Sequence, residues 1–375
     1  MKITRSSKIQ GLILAALLSI GLGFVFPVSA HANPYILDIN SKEVIDLGTL
    51  GGGNGGTGGI NAAGQVVGGV DTAAGEWRAF ITGPNGLGMT DLGTLGGDYS
   101  EASDINDAGQ VVGRSTTAAG DWHAFVTSPN GVGMTDLGTL GGNFSIAYGI
   151  NDTGQVVGES DTAAGERHAF ITGPNGLGMI DLGTLGGNFS RAYGINDAGQ
   201  VAGQSATTAS GWHAFITGPN GAGMTDLGTL GGNFSIAYGI NDTGQVVGYS
   251  DTAAGAGHAF ITGPNGVNMT DLGTLGGYYS RATDINDVGQ VVGISATAEG
   301  ADHVFITDPS GVGMADLDSQ VELPVGFFLA PGLHVQINNV GQVAASIIPE
   351  PQSYALILAG LILVGFIVRR KSMVT

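Results

Sequence analysis

The sequence predicts an all-β fold: a seven-bladed β-propeller of four-stranded, 45-residue repeats whose last blade is shared between the two ends of the chain. Three observations carry this expectation. A set of phrases recurs at a fixed period, each period divides into four short apolar runs separated by turn residues, and the array starts and stops on complementary halves of one unit. A β-solenoid is the alternative architecture for the same period.

The period is read from three phrases. Asp-Leu recurs at Asp46, Asp91, Asp136, Asp181, Asp226, Asp271 and Asp316; the first six copies open Asp-Leu-Gly-Thr-Leu-Gly-Gly and the seventh has decayed to Asp316-Leu317-Asp318. Gly-Gln-Val begins at Gly64, Gly109, Gly154, Gly199, Gly244 and Gly289, and its seventh copy, at Gly341, comes seven residues late. His-Ala-Phe begins at His123, His168, His213 and His258, with Arg78-Ala79-Phe80 in the first unit and His303-Val304-Phe305 in the last. Within the third unit, residues 147–151, 155–160, 168–172 and 179–185 read as strands. Between them lie the tight turn Asn151-Asp152-Thr153-Gly154, a looser loop at 161–166, and the turn Gly173-Pro174-Asn175-Gly176. Residues 35–46 align with the second half of a unit and residues 336–346 with the first half. Pairing the two halves completes a seventh blade and leaves no open sheet edge, whereas a solenoid needs caps instead.

Composition agrees. Of 375 residues 69 are Gly, 42% are hydrophobic, 11% are charged and none is Cys. Such a chain builds a core without disulfides. The formal net charge is −19. Between the basic ends only Lys42, Arg78, Arg114, Arg167, Arg191 and Arg281 oppose thirty acids, a balance near −24. That sign repels phosphate backbones and excludes nucleic acid as a partner. It suits cations, so calcium is compatible on charge alone, although the Asp-rich turns lack EF-hand spacing.

The ends read as export and sorting segments. Lys2, Arg5 and Lys8 precede an apolar run and the small residues Ser29-Ala30-His31-Ala32, so residues 1–32 are expected to be a signal peptide cleaved between Ala32 and Asn33 by Sec-type export. The repeat domain is expected over 33–348. In the tail, 349–375, Pro349-Glu350-Pro351 precedes an uncharged apolar helix expected to enter the membrane at 354–368, followed by Arg369, Arg370 and Lys371.

This tail resembles the PEP-CTERM sorting signal of Gram-negative bacteria, on the Pro-Glu-Pro, the apolar helix and the basic end. The resemblance implies an exosortase as processing partner, anchoring in the membrane during sorting, and a final place at the cell surface or in the extracellular matrix. The repeat phrases resemble the HAF family of extracellular repeats from about residue 35 to 347. That family lends location and architecture but no reaction.

For chemistry, the His and Asp of the repeat stand one per unit, around a ring rather than in one coordination sphere. They read as structural groups bonded within their own blades. No nucleophile elbow, metalloprotease helix, P-loop or dinucleotide fingerprint occurs. The expectation is therefore no enzyme and no cofactor. Variation among units marks the permissive face. It falls in the loops after the second and fourth strands, at Arg114, Glu159, Gln204, Tyr249 and Ile294, and at Glu101, Ile146, Arg191, Ile236 and Arg281. All three Trp of the chain stand on that face, so Trp77, Trp122, Trp212 and Tyr249 are the candidate ligand residues, suited to sugar rings. The expected function is non-catalytic binding of an exopolysaccharide or another envelope component. A purely structural spacer is one alternative. A polysaccharide-active enzyme is the other, and it would need a charged cluster that breaks the repeat symmetry. The one plain break, residues 318–334, is mostly apolar and reads as a plug or contact loop.

Overall fold

The computed structural model describes residues 32–209, 211–325, 327–330 and 335–349, all within one compact unit. Most of the expected signal peptide, Glu350, Pro351, the expected membrane helix 354–368 and the basic end Arg369–Lys371 lie outside the described residues. Among the described residues no helix is long and apolar enough to cross a membrane.

The described chain is all-β, with only single 3-10 turns between strands. Its strands assort into seven antiparallel sheets. In the third unit the order from the axis outward is Gly141–Ile150, Val156–Thr162, Arg167–Thr172 and Met179–Asp181. Strand boundaries differ from the sequence expectation in one respect. The first strand begins six residues early because Gly141 pairs with Thr162 at the end of the second strand. The fourth correspondingly stops at Asp181, and the Gly-Thr-Leu segment crosses from the outer edge of one sheet to the inner strand of the next.

The seventh sheet takes strands from both ends. Gln336–Ile337 and Gln342–Pro349 supply the inner pair, and Asn33–Asp38 and Val44–Asp46 the outer pair. The junction runs from Asn33 opposite Ile347 to Asp38 opposite Gln342. Phe327–Leu329, from the late insertion, adds a further strand against residues 347–349. Pro349, where the expected sorting motif begins, is thus also the last residue of the closing strand.

Packing explains the repeated Val-Val and Phe. Side chains alternate across a strand, so consecutive Val residues serve opposite faces. Val66 packs towards the closing sheet with Ile36, Leu47 and Phe80, while Val67 packs towards the second unit with Ala102, Ile105 and Phe125. The same division recurs around the ring, and the six repeat Phe are fully buried between sheets. Each contributes about 1.5–3 kcal/mol. The insertion joins the core as well, with Val321 and Leu329 packed between the sixth and seventh sheets.

Two backbone demands account for repeated Gly and Asn. In Gly-Gln-Val-Val-Gly the last Gly lies against the inner strand: a Cβ at Gly158 would stand 1.9 Å from the Ile146 carbonyl oxygen. In Gly-Pro-Asn-Gly both Asn175, at φ 56°, and Gly176, at φ 72°, are left-handed, the combination an Asn-Gly turn supplies.

Candidate ligand site along the central channel

The channel enclosed by the inner strands is lined by residues from all seven sheets. At the mouth carrying the Asn-Asp turns, a closed ring and an outer open arc of hydrogen bonds join neighbouring sheets. The Asn106 amide donates to the Asn151 carbonyl at 3.0 Å, and the link repeats at Asn151, Asn196, Asn241 and Asn286. Outside it, the Asp107 N–H donates to the Asp152 carboxylate at 2.9 Å, and so on through Asp197, Asp242 and Asp287 to Asn339. Burial, with the neighbouring carboxylates acting in the same direction, raises the pKa of Asp152 and Asp242. This mouth is strongly acidic and attracts cations.

Deeper in, repeat symmetry breaks. Where the first, third, fourth and fifth units have Gly59, Gly149, Gly194 and Gly239, the second and sixth have Asp104 and Asp284. Each carboxylate accepts two backbone N–H groups, Asp104 from Ile105 and Ile150, Asp284 from Ile285 and Ile337. Burial outweighs those bonds and pushes both up to about 7.

The second break is an arc of aromatic and charged groups. A β-bulge in each complete inner strand pushes one residue out of register. In three adjacent units that residue is Tyr148, Tyr193 and Tyr238, and the rings follow one another at 5.2 Å. The Arg191 guanidinium lies 5.6 Å from the centres of both Tyr148 and Tyr193, and Arg281 lies 5.6 Å from that of Tyr238. Glu159, only 1% exposed, accepts from Arg191 Nε at 2.8 Å and from the Tyr148 hydroxyl at 2.9 Å. The three phenols are held above their ordinary value, first by burial. Arg281 Nε is buried and has no hydrogen-bond partner. Beside the arc, Glu101 pairs with Arg114, whose guanidinium lies 5.0 Å from the Trp122 ring.

Sequence reasoning singled out Glu159, Arg191, Arg281, Glu101 and Arg114 as variable but did not bring them together, and it missed the three Tyr. The available signal was Ala-Tyr-Gly-Ile-Asn in three units against Ser-Asp, Thr-Asp or Gly-Gly in the others. The predicted face residues are placed differently from free loop tips. Trp77, Trp122 and Trp212 are half-buried at the starts of third strands. Trp122 meets Tyr99 edge-on at 4.8 Å, Trp212 meets Phe189 at 4.8 Å, and Trp77 stacks on Tyr99 at 6.5 Å. Tyr249 packs between Phe234 and Tyr279 and donates to Asp251. The repeat His stay in their own blades, as expected: His123, His168, His213 and His258 each bond the Asp thirteen residues on.

No protein-family model matches the chain, and no curated protein matches it in sequence. Its shape does match solved structures. TolB from Agrobacterium tumefaciens superimposes with a TM-score of 0.51 at 11% identity, over 86% of this chain and 99% of that one. The β-propeller domain of the Trilobed protease from Pyrococcus furiosus gives 0.52 at 11% identity, over 76% and 88%. A puromycin hydrolase gives 0.48 at 16% identity, over 77% of this chain but only 49% of its own length. The first two likenesses establish a propeller-like all-β fold. They also correct one expectation. That the chain is no enzyme was inferred from identical units, yet the match from Pyrococcus furiosus is a propeller domain within a protease, so the shape gives that inference no support. The structure adds the symmetry-breaking charged cluster whose apparent lack supported that inference.

Proposed function

We propose that the chain is an exported surface or matrix protein, a seven-bladed propeller closed by its own two ends, that binds an exopolysaccharide or another carbohydrate-bearing envelope component along the tyrosine arc. The observation that carries this reading is the run Tyr148–Tyr193–Tyr238 with Arg191 and Arg281 over the rings. Aromatic faces stack on the apolar faces of sugar rings, and guanidinium groups donate to hydroxyl and carboxylate oxygens. The PEP-CTERM and HAF resemblances supply the location, with Sec-type export and an exosortase as partners in reaching it.

A glycan array probed with the full chain tests the reading. Saturable binding to a polysaccharide that is lost in Tyr193→Ala supports it; an array without binding, or binding unchanged in Tyr193→Ala, sinks it. Cleavage of the bound polysaccharide is the second reading, favoured by the Glu159–Arg191 cluster. Release of new reducing ends by the wild-type chain, absent in Glu159→Gln, would select it.

A further inference from the structure

The four His–Asp pairs of the second to fifth units serve as internal references for a fifth. In each, the residue two after the Asp is a left-handed glycine, Gly138, Gly183, Gly228 or Gly273, whose N–H donates to the Asp carboxylate. In the sixth unit the pair is kept, with His303 Nδ1 2.7 Å from Asp316 Oδ2. The N–H of the residue two further on still donates to Asp316, at 3.0 Å, but that residue is Asp318. A single 3-10 turn, Leu317–Ser319, replaces the left-handed glycine and swings the new carboxylate back over the pair. Ligand atoms of His303, Asp316 and Asp318 consequently lie within 4.8 Å of one another.

We propose that His303, Asp316 and Asp318 form a binding site for one divalent transition-metal cation of the zinc class. One imidazole and one carboxylate, as in the other units, do not make a site; the third ligand does. A second, independent observation points the same way. Asp318 Oδ1 is buried and has no hydrogen-bond partner, beside another carboxylate. A buried carboxylate oxygen without a donor is costly, and a cation removes that cost. On binding, the cation takes the place of the proton shared by His303 Nδ1 and Asp316, which goes to solvent, and water completes the coordination. The imidazole nitrogen favours zinc, copper or nickel over calcium, magnesium and manganese, which prefer oxygen ligands.

The position gives the site a consequence. Asp318 opens the segment that carries the seven extra residues, and Val321 and Leu329 of that segment pack between the sixth and seventh sheets. A cation there ties the segment to the third and fourth strands of the sixth sheet, next to the closing strand. The site is independent of the carbohydrate reading.

The test uses the full chain, stripped with chelator, titrated with Zn2+ by calorimetry and with Co2+ by visible absorption, and melted with and without Zn2+. One saturable equivalent and a raised Tm are expected for the wild type. Asp318→Asn, isosteric, and Asp318→Gly, which restores the residue of the other units, should both lose the saturable phase and the Tm rise while keeping the wild-type circular dichroism spectrum. His258→Ala, which removes a two-ligand pair, should keep both. Absence of saturable binding by the wild type overturns the proposal, as does binding of wild-type strength in Asp318→Asn.

Discussion

The Asn338 side-chain amide donates to the backbone carbonyl of Asn61 at 2.9 Å, across 277 residues of sequence. It completes the Asn ring, since Asn61 in turn donates to Asn106 at 3.1 Å. Asn338 also receives the Asn286 amide at 3.1 Å. The same residue thus links the seventh sheet to both neighbours, and closure is a set of hydrogen bonds rather than a proximity of ends.

Closure should be felt throughout the domain. Asn338→Ala removes one of the two donors to the Asn61 carbonyl, which keeps the Gly64 N–H, and leaves the Gln342 N–H without its partner, at a cost of about 1–3 kcal/mol by denaturant titration. Removing residues 336–348 takes away the inner half of the closing sheet and should lower the Tm of the whole unit in one transition. An unchanged Tm would show that the ends merely lie side by side.

Stability should fall as pH rises. Asp104 and Asp284 titrate near 7 when folded and near 3.8 when free, so the fold holds more protons than the unfolded chain between those values. Their contribution is complete below about pH 4 and is lost as pH passes through 7. Burial raises Asp152 and Asp242 in the same sense. Melting from pH 4.5 to 8 should show a declining Tm, and Asp104→Gly with Asp284→Gly, which restores the commoner residue, should flatten the slope. A slope that stays the same assigns the dependence to other groups.

Glycines in the equivalent strand pairs of the third and first units should respond oppositely. Gly158→Ala drives a methyl against the Ile146 carbonyl and should cost about 1–3 kcal/mol. Gly56 has nothing within 4 Å of its would-be Cβ, and other units carry Glu101 or Ile146 there. Gly56→Ala should leave the Tm unchanged or raised.

The Glu159–Arg191 pair should show coupling. Arg191→Ala leaves a buried carboxylate with only the Tyr148 hydroxyl as donor and should cost up to about 3 kcal/mol. Adding Glu159→Gln should recover part of that loss, whereas simple additivity in the double-mutant cycle would show that the two act separately.

Much of this was legible in the sequence, for physical reasons. Four apolar runs per 45 residues dictate four strands, because each turn phrase carries the Asn, Gly or Pro that a reversal needs. The phase of the half-units at residues 35–46 and 336–346 determines which strands pair at the junction, because half a unit leaves an open edge that only its complement covers. The tertiary structure decided what breaks of symmetry amount to. Tyr148, Tyr193 and Tyr238 stand 45 residues apart, and become neighbours because the ring sets equivalent positions of successive inner strands side by side and a bulge turns each ring out of its sheet. The exchange of glycine for Asp318 is visible in the sequence as decay of a phrase. Only the 3-10 turn that replaces a left-handed glycine brings its carboxylate to His303 and Asp316.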